Sequence, residues 1–248
     1  MRAAWLIRLC LWLLLCLFLA EPQLFADILR PLNRENAPTI YTQGVLWQLT
    51  LIHLTLTAVA TLAASIVAIT LAILVTRRSG RDFLPLSRSV ANIGQTFPPV
   101  AVLALAVPVL GFGSAPTLVA LFLYGLLPIF ENTVTGLTTI PPSVSEAARG
   151  VGMTAAQRLF KVELPLAAPL ILTGIRVSAV ISLGTATIGS TVAARTLGEV
   201  IIAGLLTNNM AFIVQGAALV GVLAILIFDL LTVAERAFAN RFGASATA

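Results

Sequence analysis

The chain has 248 residues, 58% hydrophobic and 10% charged, with a mean hydropathy of +1.01. A soluble domain carries about a quarter of its residues as charges, so this composition excludes a water-soluble globular protein and predicts an integral membrane one. The net charge of +5 would suggest nucleic acid in a soluble chain, but here the basic residues sit in short gaps between apolar runs, as orientation signals do, and no nucleic-acid partner is expected.

Six runs are apolar and long enough to cross a bilayer, at about 20 residues per span: 5–20, 47–76, 90–110, 116–139, 170–194 and 210–233. The expected fold class is therefore all-α, polytopic, with about six transmembrane helices. The first run is short. Arg2 and Arg8 ahead of it also fit a secretory signal, but Glu21-Pro22-Gln23 follows where a small-x-small cleavage site would stand, which favours a retained span. Cys10 and Cys16 lie in this run and suggest no disulfide framework. The third run is interrupted by Pro98, Pro99 and Pro108, a break tolerated where neighbouring groups satisfy the freed backbone. We divide the chain into an N-terminal helix with an external segment, 1–44, and a transmembrane domain, 45–240.

Orientation follows from the basic residues. With the N-terminus inside, the inner segments hold Arg2, Arg8, Arg77, Arg78, Arg81, Arg88, Arg149, Arg158, Lys161, Arg236 and Arg241. The outer ones hold Arg30, Arg34 and Arg195, and Arg176 falls within a span. This bias predicts both termini in the cytoplasm.

Between the fourth and fifth runs lies a polar island, 141–165. Pro141 and Pro142 set an extended entry. Ser143-x-x-Glu146 and Thr154-x-x-Gln157 are two capping-box patterns, in which a hydroxyl accepts from the third helical N–H and the acidic or amide side chain reaches back. Gly150 and Gly152 punctuate the first helix. Leu159, Phe160 and Val162 supply apolar contacts for a second helix from Ala155 to about Glu163, and Leu164-Pro165 ends it. The pattern reads as helix, glycine hinge, helix, proline stop. Ala147, Ala148 and Gly152 are small enough to let a partner approach, unlike an interfacial helix with bulky apolar side chains.

Glu146-Ala147-Ala148, Gly152, Val162 and Leu164-Pro165, at their spacing, resemble the EAA loop of bacterial ABC importer permeases, with valine at 162 where that family has isoleucine. The resemblance implies a type I ABC importer permease fold, N-in and C-in. It makes Glu146, Ala147, Ala148 and Gly152 the ATPase-coupling residues, framed by Ser143, Thr154, Leu164 and Pro165. The phrases 92–98, 111–113, 121–128 and 184–188 are similar to the branch serving glycine betaine, choline and related osmoprotectants. The implied partners are an ABC ATPase subunit, a second permease copy or a homologous permease, a periplasmic or lipid-anchored substrate-binding protein, and membrane lipid.

No G-x-x-x-x-G-K-[ST] phosphate loop occurs, so ATP and Mg belong to the partner ATPase; this chain is expected to bind no cofactor and to be no enzyme in its own right. A lone histidine, His53, with no His/Cys cluster gives a metal site no support and reads as an interface residue at the start of the second span. Trp5, Trp12, Trp47, Tyr41 and Tyr124 are the whole supply of Trp and Tyr. Those near the second span read as interface anchors, not as an aromatic cage for a quaternary ammonium. Within the spans, Ser182, Thr185, Thr187, Ser190 and Thr191 fit either close helix contacts or the lining of a pathway for a polar solute. Glu131 fits a cavity lining, a pair with Arg176, or snorkelling to the interface, and Asp229 a position facing water or a basic partner. A permease for another small solute such as an amino acid would share the loop. A stand-alone secondary transporter would require internal repeats, which are not evident, and would leave the island unexplained. A membrane-embedded enzyme lacks a nucleophile or metal set.

Overall fold

The computed structural model describes residues 2–33 and 37–241. Arg34 lies outside the described residues, as do the side chains of Arg2 and Arg241. Among the described residues every element is helical: α1 (Arg2–Ala20), α2 (Ala26–Leu29), α3 (Leu46–Thr76), α4 (Leu84–Thr96), α5 (Pro99–Leu110), α6 (Ser114–Thr138), α7 (Pro142–Gly150), α8 (Ala155–Arg158), α9 (Leu164–Ala186), α10 (Gly198–Thr207) and α11 (Met210–Arg241). Four stretches are long and apolar enough to cross a membrane alone: Leu46–Thr76, Ser114–Thr138, Ala155–Val192 and Met210–Phe238. Two bent pairs, Trp5–Ala20 with Pro22–Leu32 and Arg81–Thr96 with Pro99–Leu110, bring the number to six if each counts as one span. The third run thus breaks at Phe97–Pro98. Pro99 opens α5, where its missing N–H costs nothing. The first run turns by 110° after Ala20.

The residues group into two compact units. One comprises Met1–Ala60, Pro98–Leu121 and Val180–Ile227. Its largest core gathers Leu15, Leu46, Leu49, Leu197, Val200, Phe212, Leu219 and Leu223. Asn33 and residues 37–41 are pinned by side-chain amides: Asn209 Nδ2 donates to Pro38 O at 2.7 Å, Gln215 Nε2 to Thr39 O at 2.5 Å, and Asn33 Oδ1 accepts from Ala211 N. Tyr41 is buried against Phe212 and donates to Glu199 at 2.8 Å. It is no interface anchor, because its hydroxyl has a carboxylate partner inside the fold.

His53 also departs from expectation. It is fully buried and its Nε2 bonds the Leu183 carbonyl at 3.0 Å. Three residues beyond Leu183, α9 ends and the chain tightens into a 3-10 turn, Thr187–Val192. A change of helix type disturbs the regular carbonyl pairing, and an imidazole supplies a donor there that lipid cannot.

The other unit comprises Thr61–Phe97, Phe122–Ala179 and Phe228–Ala248. On α3, Ala64, Ala68 and Ala72 recur at helical spacing and pack with Ile129, Phe130 and Val134 of α6, so the two backbones come close. Pro128 lies inside α6 and cannot donate to the Tyr124 carbonyl one turn back. Gln95 Nε2 donates to that carbonyl instead, at 3.0 Å. Tyr124 in turn donates its hydroxyl to Phe97 O. A Cβ on Gly94 would overlap the Leu123 carbonyl. Residues 92–98 and 121–128 are thus a matched pair that repairs a proline break.

Candidate functional site

The island 141–165 lies wholly in this second unit. Helix α7 begins two residues earlier than the first capping pattern requires. Pro142 takes its first turn, Pro141 is the N-cap, and no side chain caps it. Ser143 and Glu146 therefore form no capping box: proline's preference for the first helical position draws Ser143 into the turn, away from the N-cap geometry. The second box is present. Thr154 Oγ1 accepts from Gln157 N at 3.2 Å, and Gln157 Oε1 accepts from Thr154 N at 2.9 Å.

Just before that box, Gly152 N donates to Arg149 O at 2.9 Å and Met153 N to Ala148 O at 3.1 Å. This pair of bonds is a Schellman turn, and it puts Gly152 at φ +81°, where a side chain is strained. Gly150 has no such conformation and open space around it. The hinge is Gly152 alone.

The proline stop does not occur. Leu159–Glu163 widens into a π turn, and Leu164 N donates to Leu159 O. The turn delivers Pro165 to the second position of α9, where its missing N–H is harmless. The second island helix and the fifth span are one rod, Ala155–Val192.

Ser143, Glu146, Ala147, Gly152 and Thr154 are exposed; Leu164 and Pro165 are half-buried. Ala148 is 6% exposed and faces inward, so it seats α7 and offers no surface. Val151 is 75% and Phe160 68% exposed, which removes Phe160 from the expected internal contacts. Behind α7 is a polar cleft of about 650 Å³, lined by Arg77, Arg78, Arg81, Arg149, Arg158 and Glu163 with an apolar wall that includes Leu137 and Val144. Arg77 Nη1 bonds Glu163 Oε2 at 2.5 Å, joining the residue after α3 to the π turn.

The charges inside the spans pair differently from expectation. Glu131 takes a two-pronged bond from Arg88, at 2.5 and 2.9 Å, not from Arg176. Arg176 bonds Glu235 at 2.8 Å and Thr232 at 2.9 Å, and its guanidinium lies over Phe228. Glu235 is reached because α11 continues to Arg241, well past 233. Asp229 is half-buried and engaged.

In the first unit, the hydroxyl-rich stretch is partly structural. Ser190 Oγ is spent on Ala194 O and Thr196 Oγ1. Ser182 is fully buried. Thr187 and Thr191 bond the carbonyls of Gly184 and Ile188, yet Thr191 and Gly184 remain exposed and Thr185 half-buried. The packing below them is tight: a Cβ on Gly189 would press on Thr117, and one on Gly198 would overlap the Thr187 carbonyl.

Sequence reasoning missed Arg77, Arg88, Glu163 and Glu235 as members of ion pairs. Each partner is far along the chain, and no local pattern links them.

Comparison with known proteins matches this architecture. Residues 68–242 fit the sequence family described as binding-protein-dependent transport system inner membrane component. The chain is 41% identical, over 72% of its length and 76% of the relative's, to the osmoprotectant import permease protein OsmY of Salmonella typhimurium (strain LT2). It is 40% identical, over 74% of its length and 84% of the relative's, to the choline transport system permease protein OpuBB of Bacillus subtilis (strain 168). The fold resembles a chain of the methionine ABC transporter MetNI in an inward-facing conformation, with a TM-score of 0.70 at 21% identity, covering 80% of this chain and 99% of that one. With a six-run helical chain, the paired 92–98 and 121–128 segments and the jointed island all in place, the family match over most of the sequence identifies this chain as a member of the binding-protein-dependent transport system inner membrane components.

Proposed function

We propose that this chain is the permease subunit of an ATP-driven importer for osmoprotectants such as glycine betaine or choline, and that segment 141–165 engages a separate ATPase. Permease components of ABC importers work with an ATPase and a substrate-binding protein. The names of the relatives, osmoprotectant and choline permeases at about 40% identity, support the substrate class. The likeness to the methionine transporter is one of fold and does not favour an amino acid.

The observation that carries the coupling role is the joint at Gly152. A Schellman turn and a reciprocal cap hold α7 and α8 at a fixed angle, and the π turn makes α8 continuous with the fifth span. A push on the exposed face of α7, at Glu146, Ala147 and Val151, is transmitted to that span as a lever and not absorbed by a loop. Ala148 and the Arg77–Glu163 pair seat the lever; Thr154 and Leu164-Pro165 stiffen it. Further along the chain, Thr185, Thr187 and Thr191 keep partial exposure, with Thr187 and Thr191 bonded only to carbonyls of their own turn, and line a path for a polar solute, while Ser190 and Glu131 are tied to partners outside their own turn and Ser182 is fully buried, so these three are dropped from it.

The test is ATPase coupling in proteoliposomes. The chain is reconstituted with its ATPase and binding protein, and ATP hydrolysis and betaine uptake are measured together. The proposal expects no ATP hydrolysis by the chain alone. With Gly152→Asp, it expects retained hydrolysis by the complex without uptake. Normal uptake by that variant would remove the coupling role.

A further inference from the structure

We propose that the cleft behind α7 is a binding site for the phosphate of an anionic phospholipid, held by Arg78, Arg81 and Arg149, with an acyl chain in the apolar groove that begins at Leu164.

Five arginines and one carboxylate line the cleft. Glu163 accounts for Arg77 alone. Arg158 has a buried Nε with no partner, and its Nη1 reaches only Met153 O, at 3.5 Å. Arg78, Arg81 and Arg149 are exposed at the rim. Internal pairing therefore leaves most of this positive charge uncompensated, and two distant segments, 77–81 and 149–158, fold together to concentrate it. Guanidinium forks match phosphate oxygens, two donors to two acceptors. The volume, about 650 Å³, lies within the range of roughly 300–1,000 Å³ typical of ligand sites.

Two observations select a lipid over a free anion or an acidic protein segment. Arg77 and Arg78 follow directly on Thr76, the last residue of the α3 span, and Arg81 comes five residues after it, at the level where headgroup phosphates lie; basic pockets between spans at that level suit lipid headgroups. An apolar groove of about 330 Å³ opens next along the chain, lined by Ile69, Phe160, Leu164, Ile171 and Leu172. Leu137 of the cleft packs in one cluster with Leu164 and Ile171 of the groove, so the two cavities share a wall. A soluble phosphate or a carboxylate-bearing peptide would need the cleft only.

The experiment is native mass spectrometry of the full chain in detergent, titrated with phosphatidylglycerol and with phosphatidylcholine of the same acyl chains. The readout is the retained lipid. The wild type retains phosphatidylglycerol preferentially, and R78Q/R81Q/R149Q weakens that binding on the order of a hundredfold, from about a fivefold loss per surface arginine, while R195Q changes nothing. Ala168 also lines the groove, and Ala168→Trp weakens retention of both lipids without touching a charge. Should the triple variant fail to elute as a folded species, R78Q and R149Q separately carry the same comparison. Equal retention of the two lipids, unchanged retention in the triple variant, or displacement of phosphatidylglycerol by millimolar inorganic phosphate would each overturn the lipid site.

Discussion

Arg77 and Glu163 are 86 residues apart in sequence, yet Arg77 Nη1 lies 2.5 Å from Glu163 Oε2. Arg77 also donates its Nε to the Ile73 carbonyl, so its guanidinium is fixed at both ends. The bond ties the end of α3 to the π turn through which α8 runs into α9. It is a charged contact at the base of the proposed lever.

Removing one partner leaves the other half-buried without compensation. Arg77→Met is expected to cost about 1–3 kcal/mol, and Glu163→Gln less, because the amide oxygen still accepts. Thermal melts of the two variants and the double variant in detergent measure this. A double variant no worse than Arg77→Met shows that the two residues act as one pair; full additivity would show that they do not.

The two glycines of the island should behave oppositely. Gly152 has a positive φ, so Gly152→Ala costs about 1–2 kcal/mol in the turn, and Gly152→Asn is milder. Gly150→Ala meets nothing within 4 Å and ends a helix that favours alanine, so it is neutral or slightly stabilising. Proteolysis rates of the island separate the two.

A similar contrast tests the caps. Thr154→Ala breaks a reciprocal cap and is expected to cost about 1 kcal/mol. Ser143→Ala removes no cap and should fall within about 0.5 kcal/mol of wild type. Equal effects would show that the cap assignment is wrong.

Tyr41 supplies a pH test. Burial first, then the bond and charge of Glu199, raise its phenol above its ordinary value of 10.0. A raised value in the folded state means that the folded protein holds the proton more tightly than the unfolded one. The stabilisation is therefore fully present below about pH 10 and is lost as pH rises through the folded value. Tyr41→Phe should be less stable by about 1 kcal/mol at pH 8, with the gap closing in strongly alkaline buffer. A gap that widens with pH would contradict this.

The apolar runs made the spans legible, because bilayer crossing imposes a length and a composition that no packing detail overrides. The island was legible as two helices about a hinge, since Thr154-x-x-Gln157 and Gly152 act through bonds only a few residues long. Its ends were not. Ser143 lost its cap to Pro142, and Pro165 was absorbed by a π turn, because proline's effect depends on which helical position it meets. Arg88–Glu131, Arg176–Glu235 and the His53–Leu183 bond connect positions dozens of residues apart, and only the fold brings them together. The roles of Gln95 and Gly94 follow from Pro128, a link that becomes visible once α4 and α6 are known to be neighbours.

The central claim is that this chain transports osmoprotectants by a lever worked from outside itself. The most direct measurement is uptake of labelled choline and glycine betaine into proteoliposomes holding the chain, its ATPase and its binding protein, with and without ATP. The account predicts uptake that requires all three proteins and ATP, and that disappears in Gly152→Asp while hydrolysis continues. ATP-independent uptake by the chain alone would contradict it.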